Sequence, residues 1–179
     1  MTAETAPHTA ADDGRALAAA EQALALEIAG LEALRAGLGP DFARAVNLLY
    51  ATKGRVIVTG MGKSGHVGAK IAATLASTGT PAQFVHPAEA SHGDLGMITR
   101  QDAILALSNS GATPELSDIL AHSRRFGIPL VGITARSASP LAEAADVALI
   151  LPPAPEACPL QLAPTTSTTM TLALGDAIA

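Results

Sequence analysis

With 179 residues, 49% of them hydrophobic, the chain is long enough for one domain with its own core, burying roughly two-thirds of its unfolded surface. A formal charge of -5 and an aromatic content of 2% exclude the basic field and stacking rings of a nucleic-acid binder. No run approaches the roughly 18 apolar residues of a membrane span, and the single cysteine, Cys158, excludes an internal disulfide and fits a reducing cytoplasm.

The first dozen residues, MTAETAPHTAAD, carry acids and no apolar stretch, so 1–13 read as a disordered leader and not a secretory signal. From 14 to 38, Leu17, Leu24, Ile28, Leu31, Leu34 and Leu38 recur at helical spacing. That stripe covers either a neighbouring subunit or the chain's own core. A second helix follows Pro40, through Phe42, Val46 and Leu49. After Lys53 and Gly54 the period changes, and apolar β-rich runs occupy 55–60, 82–86, 103–108, 129–134 and 146–151. The intervals between them hold helices or short helical turns, with the best helical patterns at 65–77 and 114–126.

Strands apolar throughout, alternating with helices, predict an α/β fold: a doubly wound, flavodoxin-like parallel sheet of five strands behind an N-terminal helical arm. In the order 2-1-3-4-5 the first and third strands are neighbours, and the loops after them, GMGKSG and SNSGAT, meet at the switch point where such sheets bind ligands. The last periodic segment, 164–179, runs helically to the final residue without a stop signal, so the domain, 14–179, reads as cut short at its C-terminal end.

Gly60, Gly62 and Gly65 match G-x-G-x-x-G between a strand and a helix. The ribose-binding acid of a dinucleotide site is missing, since no Asp or Glu occurs between Gly65 and Ala88. A phosphate loop of the G-x-x-x-x-G-K-[ST] type fails at Ile57, which stands where its first glycine belongs. What remains is a close-approaching backbone, Lys63 turned to the buried side, the Ser64 hydroxyl and a helix N-terminus, which together suit one phosphate ester. Ser108, Ser110 and Thr113 add three hydroxyls in the second loop, with Asn109 and Gly111 between them. The alternative for Thr113 is a plain helix cap before Pro114, with Glu115 complementing the helix dipole.

Three segments, GMGKSGHVGAKIAATLASTGTPAQFVHPAEASHGDLGMI, SNSGATPEL and EACPLQLAPTTSTTMTLALGDAIA, together resemble the sugar isomerase (SIS) domain of D-arabinose 5-phosphate isomerases, over about Leu24 to Ala179. The resemblance implies interconversion of D-ribulose 5-phosphate and D-arabinose 5-phosphate through an enediol, for Kdo, lipopolysaccharide or capsule synthesis. It implies no organic cofactor, a homotetramer, and further catalytic and CBS segments downstream of this sequence. A phosphosugar-binding module without turnover is the alternative, although the acidic, alanine-rich arm is unlike the basic DNA-binding segment that regulators of this kind append.

Carried over residue by residue, the resemblance gives Lys63 the phosphate or enediolate oxygen and makes Glu115 and Glu156 the proton carriers. It places Gly79, Thr80, His86 and His92 near the sugar at the same edge, with His86 also able to contact an adventitious zinc. Each has a simpler reading: Lys63 a loop cation, Glu115 a dipole partner, Glu156 a surface acid on a proline-stiffened segment. Two imidazoles without a carboxylate or cysteine set do not make a structural metal site. Cys158, with no histidine near it in sequence, reads as a packed residue and not a nucleophile.

Overall fold

The computed structural model describes residues 10–179. Of the expected leader, 1–9 lie outside the described residues, and 10–13 belong to the first helix, α1 (Ala10–Ala36). Alanine is the best helix former, so the alanine-rich flank continues the helix beyond its leucine stripe. α2 (Pro40–Tyr50) follows, with proline in its first turn.

Five parallel strands come next: β1 (Val56–Gly60), β2 (Ala82–Phe84), β3 (Ala103–Leu107), β4 (Leu130–Thr134) and β5 (Val147–Ile150), in the spatial order β2-β1-β3-β4-β5. The three inner strands are buried along their whole length and the two outer ones are not. Burial on both faces is why the inner runs are apolar without alternation. Between and after the strands lie α3 (Gly62–Ser77), α4 (Pro87–Ser91), α5 (Ser117–Phe126), α6 (Pro140–Ala144) and α7 (Thr166–Ile178). The helix predicted over 114–126 opens as a 3-10 turn, Pro114–Leu116, before α5.

Alternation along each strand divides the core into two layers. Val56, Val58, Leu105, Leu107, Val131 and Ile133 pack with Ile71 and Leu75 of α3 and Leu174 of α7. Ile57, Ile104 and Leu130 face the other way, onto Ile119 of α5 and Leu141 of α6. The α1 stripe is covered by this core only at its C-terminal end, through Leu31 and Leu34. Leu17, Leu24 and Ile28 remain 67%, 61% and 56% exposed.

Candidate active site

All strands of a parallel sheet end on one edge, here called the carboxyl edge, and ligands bind outside it where the strand order reverses. Gly60 of β1 opposes Leu107 of β3, so residues 61–64 and 108–113 leave neighbouring strands at that edge.

In the first loop, α3 begins at Gly62, whose φ is +57°, and no side chain caps it. Its first turn also lacks an acid, so its unpaired amides are open to an anion. The helix starts so near the strand because of Gly65, where a Cβ would stand 2.7 Å from the Gly60 carbonyl oxygen. Ser64 is half-buried, but Lys63 is exposed and makes no hydrogen bond or ion pair among the described residues. The expectation that Lys63 turns to the buried side is therefore corrected. With the helix starting at Gly62, the sheet-facing positions are Gly65 and Gly68, and position 63 falls on the outer face.

The second loop is organised around the Ser108 hydroxyl, which is 3% exposed. Its Oγ accepts from the Gly111 amide at 3.0 Å, lies 2.7 Å from the Thr113 hydroxyl and 3.5 Å from that of Ser110. Ser110 Oγ in turn accepts from the Ala112 amide at 3.3 Å. Thr113 precedes the 3-10 turn without capping it through its side chain, so the plain-cap reading fails and its hydroxyl joins the Ser108 cluster. Gly111, at φ +65°, lies on Ser139 and Thr134, and a Cβ there would come 2.7 Å from Thr134 Oγ1 and closer still to Ser139. Asn109 is exposed, and its carbonyl is fixed by the Ala135 amide at 3.0 Å. Sequence reasoning missed the floor formed by Ser139 and Thr134, although the Ser-Pro pair at 139–140 is a helix-start signal.

On the other side of β1, His86 caps α4 by accepting the Ala88 amide on Nδ1 at 3.3 Å. That bond leaves Nε2 for a sugar hydroxyl or a zinc ion. His92, at the C-terminal end of α4, is exposed. No group of three His, Cys, Asp or Glu converges for a metal among the described residues.

Gly79 and Thr80 do not share this edge. They follow the far end of α3, whose 16 residues span about 24 Å from the Lys63 end, and Pro81 accepts the amide of Val56, the first residue of β1. Their bonds, Gly79 amide to Ala76 at 3.3 Å and Thr80 amide to Leu75 at 2.9 Å, close the helix. Placing them at the sugar edge is corrected for this chain.

Glu115 stands exposed in the 3-10 turn, with no partner among the described residues. Glu156 is half-buried on the segment 152–165, which leaves β5 at the carboxyl edge and joins α7, a helix packed against α3. Its Oε2 accepts from the Thr165 amide at 2.7 Å, the Thr165 hydroxyl at 3.1 Å and the Ser167 amide at 3.2 Å, so the carboxylate caps α7. It is not the bare surface acid of the simpler reading. Burial raises its pKa, and the donors of Ser167 and Thr165 outweigh burial, leaving the group below the ordinary glutamate value. The Ser167 Oγ itself is buried and closes no hydrogen bond among the described residues. On the same segment the amides of Ala163, Leu162 and Leu160 lower the thiol pKa of Cys158.

The SIS domain model matches residues 48–179, which takes in all five strands and both loops. Arabinose 5-phosphate isomerase KdsD of Pseudomonas aeruginosa is 60% identical over 160 residues, covering 89% of this chain and 49% of that protein. The protein of the same name from Escherichia coli K12 is 52% identical over 161 residues, covering 90% and 49%. The chain thus spans about half the length of the curated relatives it matches. The structure of c3406 from E. coli CFT073 in complex with arabinose 5-phosphate aligns with a TM-score of 0.88 at 36% identity, over 96% of this chain and 89% of that one. With the strand order, the switch-point loops and this match agreeing, the chain belongs to the SIS domain family.

Proposed function

We propose that this domain carries aldose-ketose isomerisation of a pentose phosphate, interconverting D-ribulose 5-phosphate and D-arabinose 5-phosphate. The observation that carries the reading is the cluster of Ser108, Ser110 and Thr113 hydroxyls in the loop after β3, the strand beside β1, from which the uncapped start of α3 follows. That juxtaposition is an acceptor-poor, donor-rich cradle for a phosphate monoester. The names of the KdsD relatives and the arabinose 5-phosphate bound to the similar E. coli structure support this choice of sugar.

In the proposed reaction a carboxylate, Glu115 or Glu156, removes the proton beside the carbonyl. The electron pair moves to the carbonyl oxygen, whose growing charge is met by Lys63; a proton passes from the adjacent hydroxyl to that oxygen, and the first proton returns to the former carbonyl carbon as the new carbonyl forms. Substrate contacts fall to Ser64, His86, His92 and Asn109 beside the hydroxyl cluster. The chemistry calls for no organic cofactor. The proposed product use is Kdo for lipopolysaccharide, or capsule, in the cytoplasm. No described helix is long and apolar enough to cross a membrane. A homotetramer is proposed, with the exposed Leu17, Leu24 and Ile28 of α1 available for subunit contact.

Lys63→Ala tests the reading in a coupled assay of ribulose 5-phosphate conversion, on this chain and on a form of the relatives' full length. Turnover should fall by at least ~10^2-fold with the melting temperature unchanged, since Lys63 has no partner among the described residues. Wild-type rates would remove Lys63 from the mechanism. Sugar phosphate bound by the wild type without conversion in either form would leave only a binding module.

A further inference from the structure

Glu156 is immobilised from both ends. The Gln161 side-chain amide accepts from the Glu156 amide at 3.1 Å and donates to the Glu156 carbonyl at 2.7 Å, which fixes the backbone. Gln161 takes a φ of +54°, the one positive value at a non-glycine position among the described residues. At the other end, Oε2 takes all three donors from Thr165 and Ser167, while Oε1 accepts none among the described residues. Thr165 is the junction. Its hydroxyl donates to Oε2 and accepts from the Ala157 amide at 2.8 Å and the Cys158 amide at 3.2 Å. One side chain therefore ties the carboxylate, the two residues after it and the start of α7 together.

Resting on the isomerase reading above, we infer that Thr165 is the positioning residue for Glu156: it anchors Oε2 and leaves Oε1 as the only oxygen of that carboxylate free to exchange the substrate's proton. A carboxylate loose about its χ angles would offer either oxygen in changing orientations, and proton transfer depends on hydrogen-bond-range geometry. Nothing in the sequence spacing marks Thr165 apart from its neighbours in the run APTTSTT. The distinction comes from the three bonds that its hydroxyl makes.

Thr165→Val keeps the side chain's shape and removes the hydroxyl, whereas Thr165→Ser keeps the hydroxyl and removes the methyl. The expected result for Thr165→Val is a kcat reduced by ~10-fold or more, as misplacement of a catalytic group produces, with KM within about twofold of wild type. Thr165→Ser should restore kcat. In a carbon-13 carboxyl NMR titration, which does not depend on turnover, Glu156 should titrate at higher pH in Thr165→Val than in wild type and return in Thr165→Ser. Should Thr165→Val not fold, Thr165→Ala serves in its place. An unchanged Glu156 titration in the hydroxyl-free variant, or a Ser variant that fails to restore it, would overturn the inference. Glu156→Gln run in parallel separates the two levels. Wild-type turnover there removes Glu156 from the chemistry, and Thr165 with it, and a lost rate with unchanged Thr165→Val kinetics sinks the positioning role alone.

Discussion

At the amino edge of the sheet Asp102, 3% exposed, accepts from the Arg55 amide at 2.7 Å, the Thr99 amide at 2.7 Å and the Thr99 hydroxyl at 2.9 Å. The Arg55 guanidinium beside it donates to Gln83 at 2.9 Å and to the Met97 carbonyl at 3.0 Å. Asp146 holds the Leu130 amide at 2.8 Å, and the Ser123 hydroxyl holds the Ile128 carbonyl at 2.7 Å. At the carboxyl edge, by contrast, the side chains of Lys63, Asn109 and Glu115 are exposed and make no bond among the described residues. Groups such as Asp102, whose bonds all run into the scaffold, contribute chiefly stability, whereas Ser108, Thr113 and Glu156 at the carboxyl edge keep part of their bonding capacity beside these unpaired side chains. Unsatisfied groups contribute little stability and remain available. One sheet thus separates the two tasks between its ends, and substitutions at the two edges should fail in different measurements.

The largest effect on stability is expected from Asp102→Ala. It leaves two amides and a hydroxyl without an acceptor beside a guanidinium, at a cost of about 3 kcal/mol, read by urea denaturation. Activity per folded molecule should persist. Burial alone would raise the Asp102 pKa, but the bonds from Arg55 and Thr99, with the Arg55 charge, hold it below the ordinary aspartate value. The sign follows from linkage: this contribution is present above the unfolded-state value and is lost as pH falls through it toward the lowered one. The wild type should therefore lose stability in that acid window more steeply than Asp102→Ala. Equal slopes would mean that the amino edge does not hold its aspartate as the geometry implies.

Ser108→Ala probes the opposite edge. The Gly111 amide keeps the Ser108 carbonyl as an acceptor at 3.1 Å, so the fold should lose no more than about 1 kcal/mol. Binding of ribulose 5-phosphate, measured by titration calorimetry, should weaken about 10-fold, equivalent to about 1.4 kcal/mol. A larger loss of stability than of affinity would show that the hydroxyl cluster belongs to the scaffold and not to the ligand.

The sheet was legible because burial on both faces forces unbroken apolar runs, and GMGKSG and SNSGAT were legible because close backbone approach demands glycine. The errors have equally local causes. The sequence shows Lys63 inside a glycine turn aimed at the switch point, whereas the positive φ of Gly62 lets the helix begin there and sets Lys63 on its outer face. The cap alternative for Thr113 stayed open in the sequence because its hydroxyl's partner, Ser108, is five residues back across a turn that no periodicity describes. The capping of α7 by Glu156 joins residues nine and eleven apart through a proline-rich segment, a contact that only the folded path reveals. The five-residue α4 is shorter than two helical periods and leaves no pattern to read.

Gly79 gives the finest test, because the family resemblance implies one edge for it and the fold places it at the other. Its φ of +101° is costly for any residue with a Cβ, yet nothing lies within 4 Å of where that Cβ would stand. Gly79→Ala should therefore cost only the backbone term, about 1 kcal/mol, seen as a small fall in melting temperature. Both kcat and KM should stay at wild-type values, since α3 separates this turn from Lys63 by about the helix's full length. A selective rise in KM would mean that the turn of one chain reaches the sugar of another. The division between a stabilising and a reactive edge would then hold within a subunit but not across the assembly.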